Sequence, residues 1–136
     1  MLASESRLDS DMKLEKELVR KILLKVEEFE GGIYEGVPLD IADYTERQIT
    51  YQVMLLIEAG YLIGEDLSTL SGEEWEVQRL TYAGHEFLDT IRDAEVWRRT
   101  KDAAVKVGGV SLQVMVEIGK AYAKQVLQER TGIALA

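Results

Sequence analysis

The hydrophobic pattern at the start of the chain predicts a helix over residues 12–30. Apolar residues recur there every three or four positions on one face, and charged residues occupy the rest of the surface. The glycine pair at 31–32 ends the helix, because glycine readily adopts the left-handed conformation of a C-terminal cap. Residues 1–11 show no such pattern, so we expect a loose tail, and translation could start at Met1 or Met12.

A second amphipathic segment predicts a helix from about residue 46 to 59. The preceding "TERQ" has the form of a capping box, in which Thr45 accepts from the amide of Gln48 while the glutamine side chain reaches back to Thr45. Gly60 directly follows the last periodic residue and is expected to end the helix.

The helical period then gives way to a period of two, which predicts a two-stranded ribbon. Residues 62–63 begin the first strand, the polar stretch 68–72 supplies a turn, and alternation resumes at 75–77. A regular strand would place Leu80 on the opposite face from Trp75 and Val77, although all three are apolar. We therefore expect either a β-bulge or a strand whose tip lies free of the core. A further short edge strand fits residues 37–41, where a proline excludes a helix.

Three more helices are expected after the ribbon. Thr81 is placed to cap the first of them, and Phe87, Leu88 and Ile91 form its apolar face. Gly84 in its first turn costs about 1 kcal/mol relative to alanine. Close backbone packing at Gly84 would explain why a glycine stands there.

Glycines at 108–109 separate the last two predicted helices. The first covers about 95–107, and the second runs from a Ser111 cap to about Glu129. The inner face of the first carries Trp97, Thr100, Ala104 and Val107, and that of the second carries Leu112, Met115, Gly119, Tyr122 and Val126. These two helices would pack on the rest of the chain or across a twofold axis in a homodimer.

This order of elements predicts a mainly α protein with a small β-ribbon, in the α+β class. A helix that ends in glycine and leads into a ribbon is the plan of a winged helix-turn-helix, here with two added C-terminal helices. We therefore expect a tail at 1–11, a winged-helix domain at 12–93 and a helical extension at 94–136.

Three segments in this order resemble the family known as domain of unknown function 2513, which comprises small bacterial and phage proteins. They are "LVRKILLKVEE", "ITYQVMLLIEAGYL" and "RLTYAGHEFLDTIRDAEVWRRTK". The resemblance covers residues 12 to about 130 and is most specific in "LTxxGHEFLDxIRD". It implies a winged-helix fold and little about activity. Gln52 stands where the family pattern leads us to expect a histidine, so a role of that histidine would be absent here.

Composition narrows the chemistry available to the chain. The absence of cysteine excludes disulfides, thiolate nucleophiles and cysteine-based zinc sites. The N-terminus has no apolar stretch of a secretory signal, and no apolar run approaches the roughly 18 residues that span a bilayer. We therefore expect a cytoplasmic protein that does not contact membranes.

Catalytic and metal-binding motifs are not evident in the sequence. The single histidine, His85, has no second histidine or sulfur beside it, so we interpret it as a part of the fold. The ribbon carries Glu65, Asp66, Glu73, Glu74 and Glu76, which could ligate Mg²⁺ or Ca²⁺. These acids lack the spacing of an EF-hand, and a solvated acidic loop is the simpler interpretation. We expect no enzyme activity, no cofactor and no metal.

Charge is distributed unevenly along the chain, whose net charge is -9. Residues 31–93 hold thirteen acids and three arginines, whereas residues 94–136 hold four acids and seven bases. Such an acidic centre repels DNA unless local basic groups overcome it. Arg92, Arg98 and Arg99 could form a basic patch for DNA, and the alternative is a solvent face closed by salt bridges.

The outer face of the helix at 46–59 is the candidate binding surface. Rotation by 100° per residue places Arg47, Tyr51, Met54 and Glu58 outermost, flanked by Gln48, Thr50 and Leu55. Arg47 and Gln48 suit a reader of double-stranded DNA, whereas tyrosine and methionine suit a protein interface.

Two functions follow from this mixture. We place a DNA-binding, transcription-regulator-like module first because of the fold analogy. The alternative is an acidic adaptor, encoded by a phage or prophage, that binds a protein partner and not DNA. The candidate contact residues for either function are Arg47, Gln48, Thr50, Tyr51, Met54, Arg92, Arg98 and Arg99.

Overall fold

Five helices and one two-stranded antiparallel sheet make up the described part of the protein. The structure is a computed structural model that describes residues 12–32 and 34–134, so the expected tail at 1–11 lies outside the described residues. The elements are α1 (Lys16–Glu28), α2 (Glu46–Glu58), β1 (Leu62–Asp66), β2 (Trp75–Leu80), α3 (Tyr82–Ile91), α4 (Ala94–Lys106) and α5 (Leu112–Thr131). The predicted α+β class and the predicted order of helices and ribbon are confirmed.

The chain divides into two compact units, Met1–His85 and Glu86–Ala136, and the division falls inside α3. We refer to them as the N-terminal unit and the C-terminal unit. Separate domains at 12–93 and 94–136, as expected from the sequence, stay a prediction. No helix among the described residues is both long and apolar enough to cross a bilayer.

The core of the N-terminal unit forms where α1 and α2 pack on each other and on the ribbon. In α1, apolar residues at helical spacing are the buried ones: Leu18, Val19, Ile22, Leu23 and Val26. In α2, the buried positions are Ile49, Gln52, Val53 and Leu56. The amphipathic spacing in the sequence therefore identifies the buried face of both helices.

Helix α2 begins at the predicted capping box. The amide of Gln48 donates to Oγ1 of Thr45 over 3.1 Å, and the amide of Thr45 donates to Oε1 of Gln48 over 2.9 Å. The two bonds satisfy two amides that a helix start would otherwise leave open. Gly60, with a φ of 85°, follows the end of the helix as predicted.

The ribbon contains the predicted β-bulge. Ile63 lies opposite Arg79 and Gly64 lies opposite Val77, so Gln78 is the extra residue on β2. The bulge changes the parity of β2 and allows both Val77 and Leu80 to be buried.

Residues 37–41 do not form the expected strand. The amide of Val37 donates to the carbonyl of Val77 over 2.8 Å, and both Val37 and Ile41 are buried. Pro38 directly follows Val37 and has no amide hydrogen to continue the ladder. One hydrogen bond and two buried side chains therefore hold this segment.

Thr81 joins the end of the ribbon to the end of α2. Its hydroxyl donates to the carbonyl of Gly60 over 2.5 Å and accepts from the amide of Gly84 over 3.0 Å. The predicted close packing at Gly84 is confirmed, because a Cβ added there would collide with the backbone carbonyl oxygen of Tyr61.

The C-terminal unit is built mainly from α4 and α5, which pack along each other. Trp97, Thr100 and Ala104 of α4 are buried, as are Met115, Gly119 and Val126 of α5. The placement of Val107 on the inner face was wrong, since its side chain is 70% exposed. Val107 is the C-cap, with φ −108° and ψ 16°, and the helical period no longer sets its direction. Leu112 and Tyr122 are half-buried.

Candidate binding site on helix α2

The outward side of α2 forms one wall of a cavity of about 240 Å³. The residues around it are Met12, Arg47, Thr50, Tyr51, Met54, Glu73 and Trp75. The four that belong to α2 recur at spacings of three or four residues, which places them on one face of the helix. Helical geometry in the sequence places the same four residues on one side of the helix, while Met12, Glu73 and Trp75 come from distant parts of the chain.

A shallower depression of about 380 Å³ adjoins this cavity. It is lined by Glu46, Arg47, Thr50 and Glu73, so the two hollows share three residues. We call the pair of hollows the α2 cleft. Its apolar part consists of Met12, Tyr51, Met54 and Trp75, and its charged part consists of Glu46, Arg47 and Glu73.

Arg47 is the cation of the α2 cleft. Its side chain is exposed on the first turn of α2, next to Glu46. Within residues 12–32 and 34–134, no carboxylate lies within ion-pair distance of its guanidinium. With respect to the described residues, Arg47 can therefore donate hydrogen bonds to a bound molecule without first breaking an ion pair.

Gln52 hydrogen-bonds the backbone of the segment that brings Met12 to the cleft. Its side chain is fully buried; Nε2 donates to the carbonyl of Lys13 over 2.8 Å, and the amide of Glu15 donates to Oε1 over 2.9 Å. These bonds fix the backbone next to Met12. One signal of this role is present in the sequence, because Gln52 is a polar residue that falls on the buried face of α2 between Ile49 and Val53.

Gln48 does not line the α2 cleft. Its side chain completes the capping box and so points back to the start of the helix. Leu55 is half-buried and Glu58 is exposed, and neither lines the cleft. Of the candidate residues on α2, the structure brings together Arg47, Thr50, Tyr51 and Met54.

The three candidate arginines of the C-terminal region form ion pairs with carboxylates. Arg98 contacts Glu95 over 2.6 Å and Asp102 over 3.2 Å. Arg99 contacts Glu95 over 2.9 Å and Glu129 over 3.0 Å. A separate pair joins Arg92 to Asp89 over 2.8 Å. This arrangement matches the salt-bridged solvent face that the sequence left as the alternative to a basic patch.

Arg98 and Arg99 lower the pKa of Glu95 to about 2. The hydrogen bond from Arg98 has the larger effect, and that from Arg99 the next largest. The ordinary value is 4.5, so the pairs contribute their full stabilisation above pH 4.5 and lose it as the pH falls toward 2. We expect an NMR titration of the Glu95 carboxyl carbon to have its midpoint near 2. Arg98→Ala should raise this midpoint, whereas Lys120→Ala, which removes a pair with Glu117, should leave it unchanged. A midpoint near 4.5 in the unmodified protein would contradict the pairing.

The acidic ribbon is not arranged as a metal site. Within the residues that the structure describes, no group of three or more histidine, cysteine, aspartate or glutamate side chains is placed to hold a metal ion. The Asp66 side chain accepts a hydrogen bond from Ser68, which lowers the pKa of Asp66 and stabilises the turn. His85 is exposed at the start of α3.

The structure is thus that of a small α+β protein with a cleft on the outward side of its second helix. The chain belongs to the family described as "Hypothetical protein (DUF2513)", which matches residues 13–111. This match confirms the resemblance seen in the sequence. The chain is also similar to a Haemophilus influenzae protein named "Uncharacterized protein", at 29% identity over 118 residues, or 87% of this chain and 98% of that protein. No solved structure matches the chain significantly.

Proposed function

We propose that this protein is a non-enzymatic binding module that holds a protein partner in the α2 cleft. The observation that carries the proposal is the composition of the cavity, in which the described lining residues include Met12, Tyr51, Met54 and Trp75 together with one arginine and one glutamate. Aromatic residues, methionine and arginine are the types enriched at the centres of protein interfaces. Each of these types is present in the cavity.

We further propose that residues 12–91 form a winged helix, with α2 in the place of the recognition helix. The order of α1, α2, the ribbon and α3 supports this assignment. So does the hydrogen bond from Val37 to Val77, which ties the segment before α2 to the ribbon. One feature differs from a helix-turn-helix, because residues 42–44 form a turn where its first helix would lie.

Charge favours a protein over DNA as the partner. Residues 31–93 carry thirteen acids and only three arginines, one of which is Arg92 in its pair with Asp89. Binding to phosphates requires cations that can replace condensed counterions. Arg98 and Arg99 would have to give up ion pairs with Glu95, Asp102 and Glu129 before they could serve.

DNA binding is the second candidate, and Arg47 is the observation that favours it. Its guanidinium is exposed on the first turn of α2, the part of a recognition helix that contacts bases in many winged helices. A bidentate contact from arginine to guanine is the commonest specific contact in the major groove. The two candidates therefore assign different roles to the same residue.

A photo-crosslinking amino acid at position 51 tests the protein-binding proposal in the cells that encode this chain. We expect a discrete covalent adduct with a protein from position 51. The matched control is the same amino acid at Tyr82, an exposed tyrosine that does not line the cleft, and it should not give that adduct. An identical adduct pattern from both positions would contradict a binding site at the cleft.

Fluorescence anisotropy with labelled, fragmented genomic DNA tests the second candidate. We expect no binding at about 50 mM or about 200 mM salt. Binding that weakens steeply between these salt concentrations and is lost in Arg47→Ala would overturn the protein-binding proposal in favour of DNA.

A further inference from the structure

We infer that the occupant of the α2 cleft is a basic, amphipathic segment of the partner protein. One bulky apolar side chain of the segment enters the cavity, and lysine or arginine side chains beside it pair with Glu46 and Glu73. This inference rests on the proposed function and adds the chemistry of the partner to it.

The size of the cavity indicates a side chain as its occupant. Sites for drug-sized molecules usually have about 300–1,000 Å³. The cavity beside Tyr51 and Met54 has about 240 Å³, which is below this range, and the adjoining depression of about 380 Å³ leaves room for the rest of a chain segment. A protruding apolar side chain, with the rest of its segment outside the cavity, fits this volume and its apolar walls.

The charges around the cavity indicate that the segment is basic. Glu46 and Glu73 are both exposed at the adjoining depression, and among the described residues that line it Arg47 is the single cation. A partner cation can therefore pair with either carboxylate at the rim of the cavity. Arg47 is left to donate to a carbonyl oxygen of the partner backbone.

The acidic composition of this part of the chain favours the approach of a basic partner. Residues 31–93 carry thirteen acids and three arginines. Glu65 on β1 lies directly opposite Glu76 on β2, but Glu76 follows Trp75, which lines the cavity, so the Glu76 side chain points to the other face of the strand. These acids therefore act through the long-range negative potential, which would accelerate the association of a basic partner.

Selection from a displayed library of random peptides tests the inference with the full-length protein. Peptides that bind the unmodified protein but not Met54→Gln are ligands of the cleft. We expect these peptides to carry a net positive charge and at least one bulky apolar residue. Their affinity should fall about threefold to tenfold in a Glu46→Gln/Glu73→Gln variant, because exposed ion pairs each contribute up to about 1 kcal/mol. Thermal unfolding of each variant verifies that the fold is retained.

Glu86→Gln is the control for the charge variant, since it removes an exposed carboxylate that lines neither hollow. It should leave the affinity of the selected peptides unchanged. Cleft-dependent peptides that are neutral or acidic, or that bind the double variant equally well, would overturn the basic partner and leave the protein-binding proposal intact. A library without any Met54-dependent peptide would overturn both.

Discussion

Replacing Gly84 by alanine is expected to lower the free energy of unfolding by about 3 kcal/mol, at the upper end of the usual cost of overpacking. The added Cβ would collide with the backbone carbonyl oxygen of Tyr61 and approach the carbonyl carbon to 3.1 Å. A side chain could rotate away, but this carbonyl is fixed because it accepts from the amide of Thr81 over 3.0 Å. Relief therefore requires α3 to move away from the end of α2.

Helix propensity makes the opposite prediction for the same substitution. Alanine in a helix is more favourable than glycine by about 1 kcal/mol, so Gly84→Ala would stabilise the protein if packing were unimportant. The sign of the change in a urea unfolding experiment thus separates the two effects. A stabilised variant would show that the contact with Tyr61 relaxes without cost.

Gly32→Ala is the matched control for Gly84→Ala. The nearest atom to an added Cβ at Gly32 is a side-chain oxygen of Glu35, at 3.8 Å, which is an ordinary contact. We expect a change between zero and a stabilisation of about 1 kcal/mol, because alanine restricts the unfolded chain. The same chemical change should therefore have opposite effects at the two positions.

Most features of the fold that depend on neighbouring residues could be predicted from the sequence. The left-handed glycine cap expected at 31–32 is wrong, because α1 already ends at Glu28 and its C-cap Phe29 is extended, with φ −66° and ψ 126°. The capping box at Thr45 and the glycine that follows α2 involve groups within a few residues of each other. The bulge at Gln78 follows from the parity of two apolar residues on one strand. The error at Val107 has a local cause as well, since the periodic pattern was extended one residue beyond the end of its helix.

The candidate site could be predicted only in part, because it combines near and distant residues. The sequence places Arg47, Tyr51 and Met54 on one face, since helical geometry alone decides that. It does not place Met12 or Trp75 beside them, because their positions depend on how α1 and the ribbon pack against α2. Arg98 pairs with Glu95 and Asp102, which lie three and four residues away on the same helix, so helical spacing alone brings them together. The pair of Arg99 with Glu129 instead depends on the packing of α4 against α5.

Contacts between distant parts of the chain also explain why we propose protein binding ahead of DNA binding, the reverse of the order expected from the sequence. Fold analogy and an exposed arginine favour DNA when the sequence is considered alone. The structure adds the apolar residues Met12 and Trp75 to one side of α2 and pairs Arg98 and Arg99 with carboxylates. The first addition supports our proposal of a protein partner at the α2 face, and the second leaves fewer unpaired cations to contact a phosphate backbone.

Gln52→Met is expected to lower the free energy of unfolding by about 2 kcal/mol and to weaken binding at the α2 cleft. Methionine has a similar length and can occupy the same buried space, so the change mainly removes two hydrogen bonds. The amide of Glu15 and the carbonyl of Lys13 would lose their partners, and an unsatisfied buried polar group costs about 1–3 kcal/mol. Both groups are partly buried, so water can replace some of the loss.

The consequence for function follows from the position of Met12. Lys13 and Glu15 are held by Gln52 on the inner side of α2, and Met12 lines the cavity on its outer side. Without the two bonds, the backbone next to Met12 is no longer held, and Met12 would not keep its place at the cavity. Peptides that require Met54 should then bind Gln52→Met more weakly, although Gln52 does not line the cleft.

Hydrogen exchange of the Glu15 amide measures this effect directly, because that amide loses its acceptor. We expect faster exchange at Glu15 in Gln52→Met, together with the lower stability in urea. Gln113→Met, an exposed position on α5, is the matched control and should change neither quantity. Unchanged exchange at Glu15 would show that Gln52 does not hold the backbone next to Met12, and the cleft would then depend on α2 and the ribbon alone.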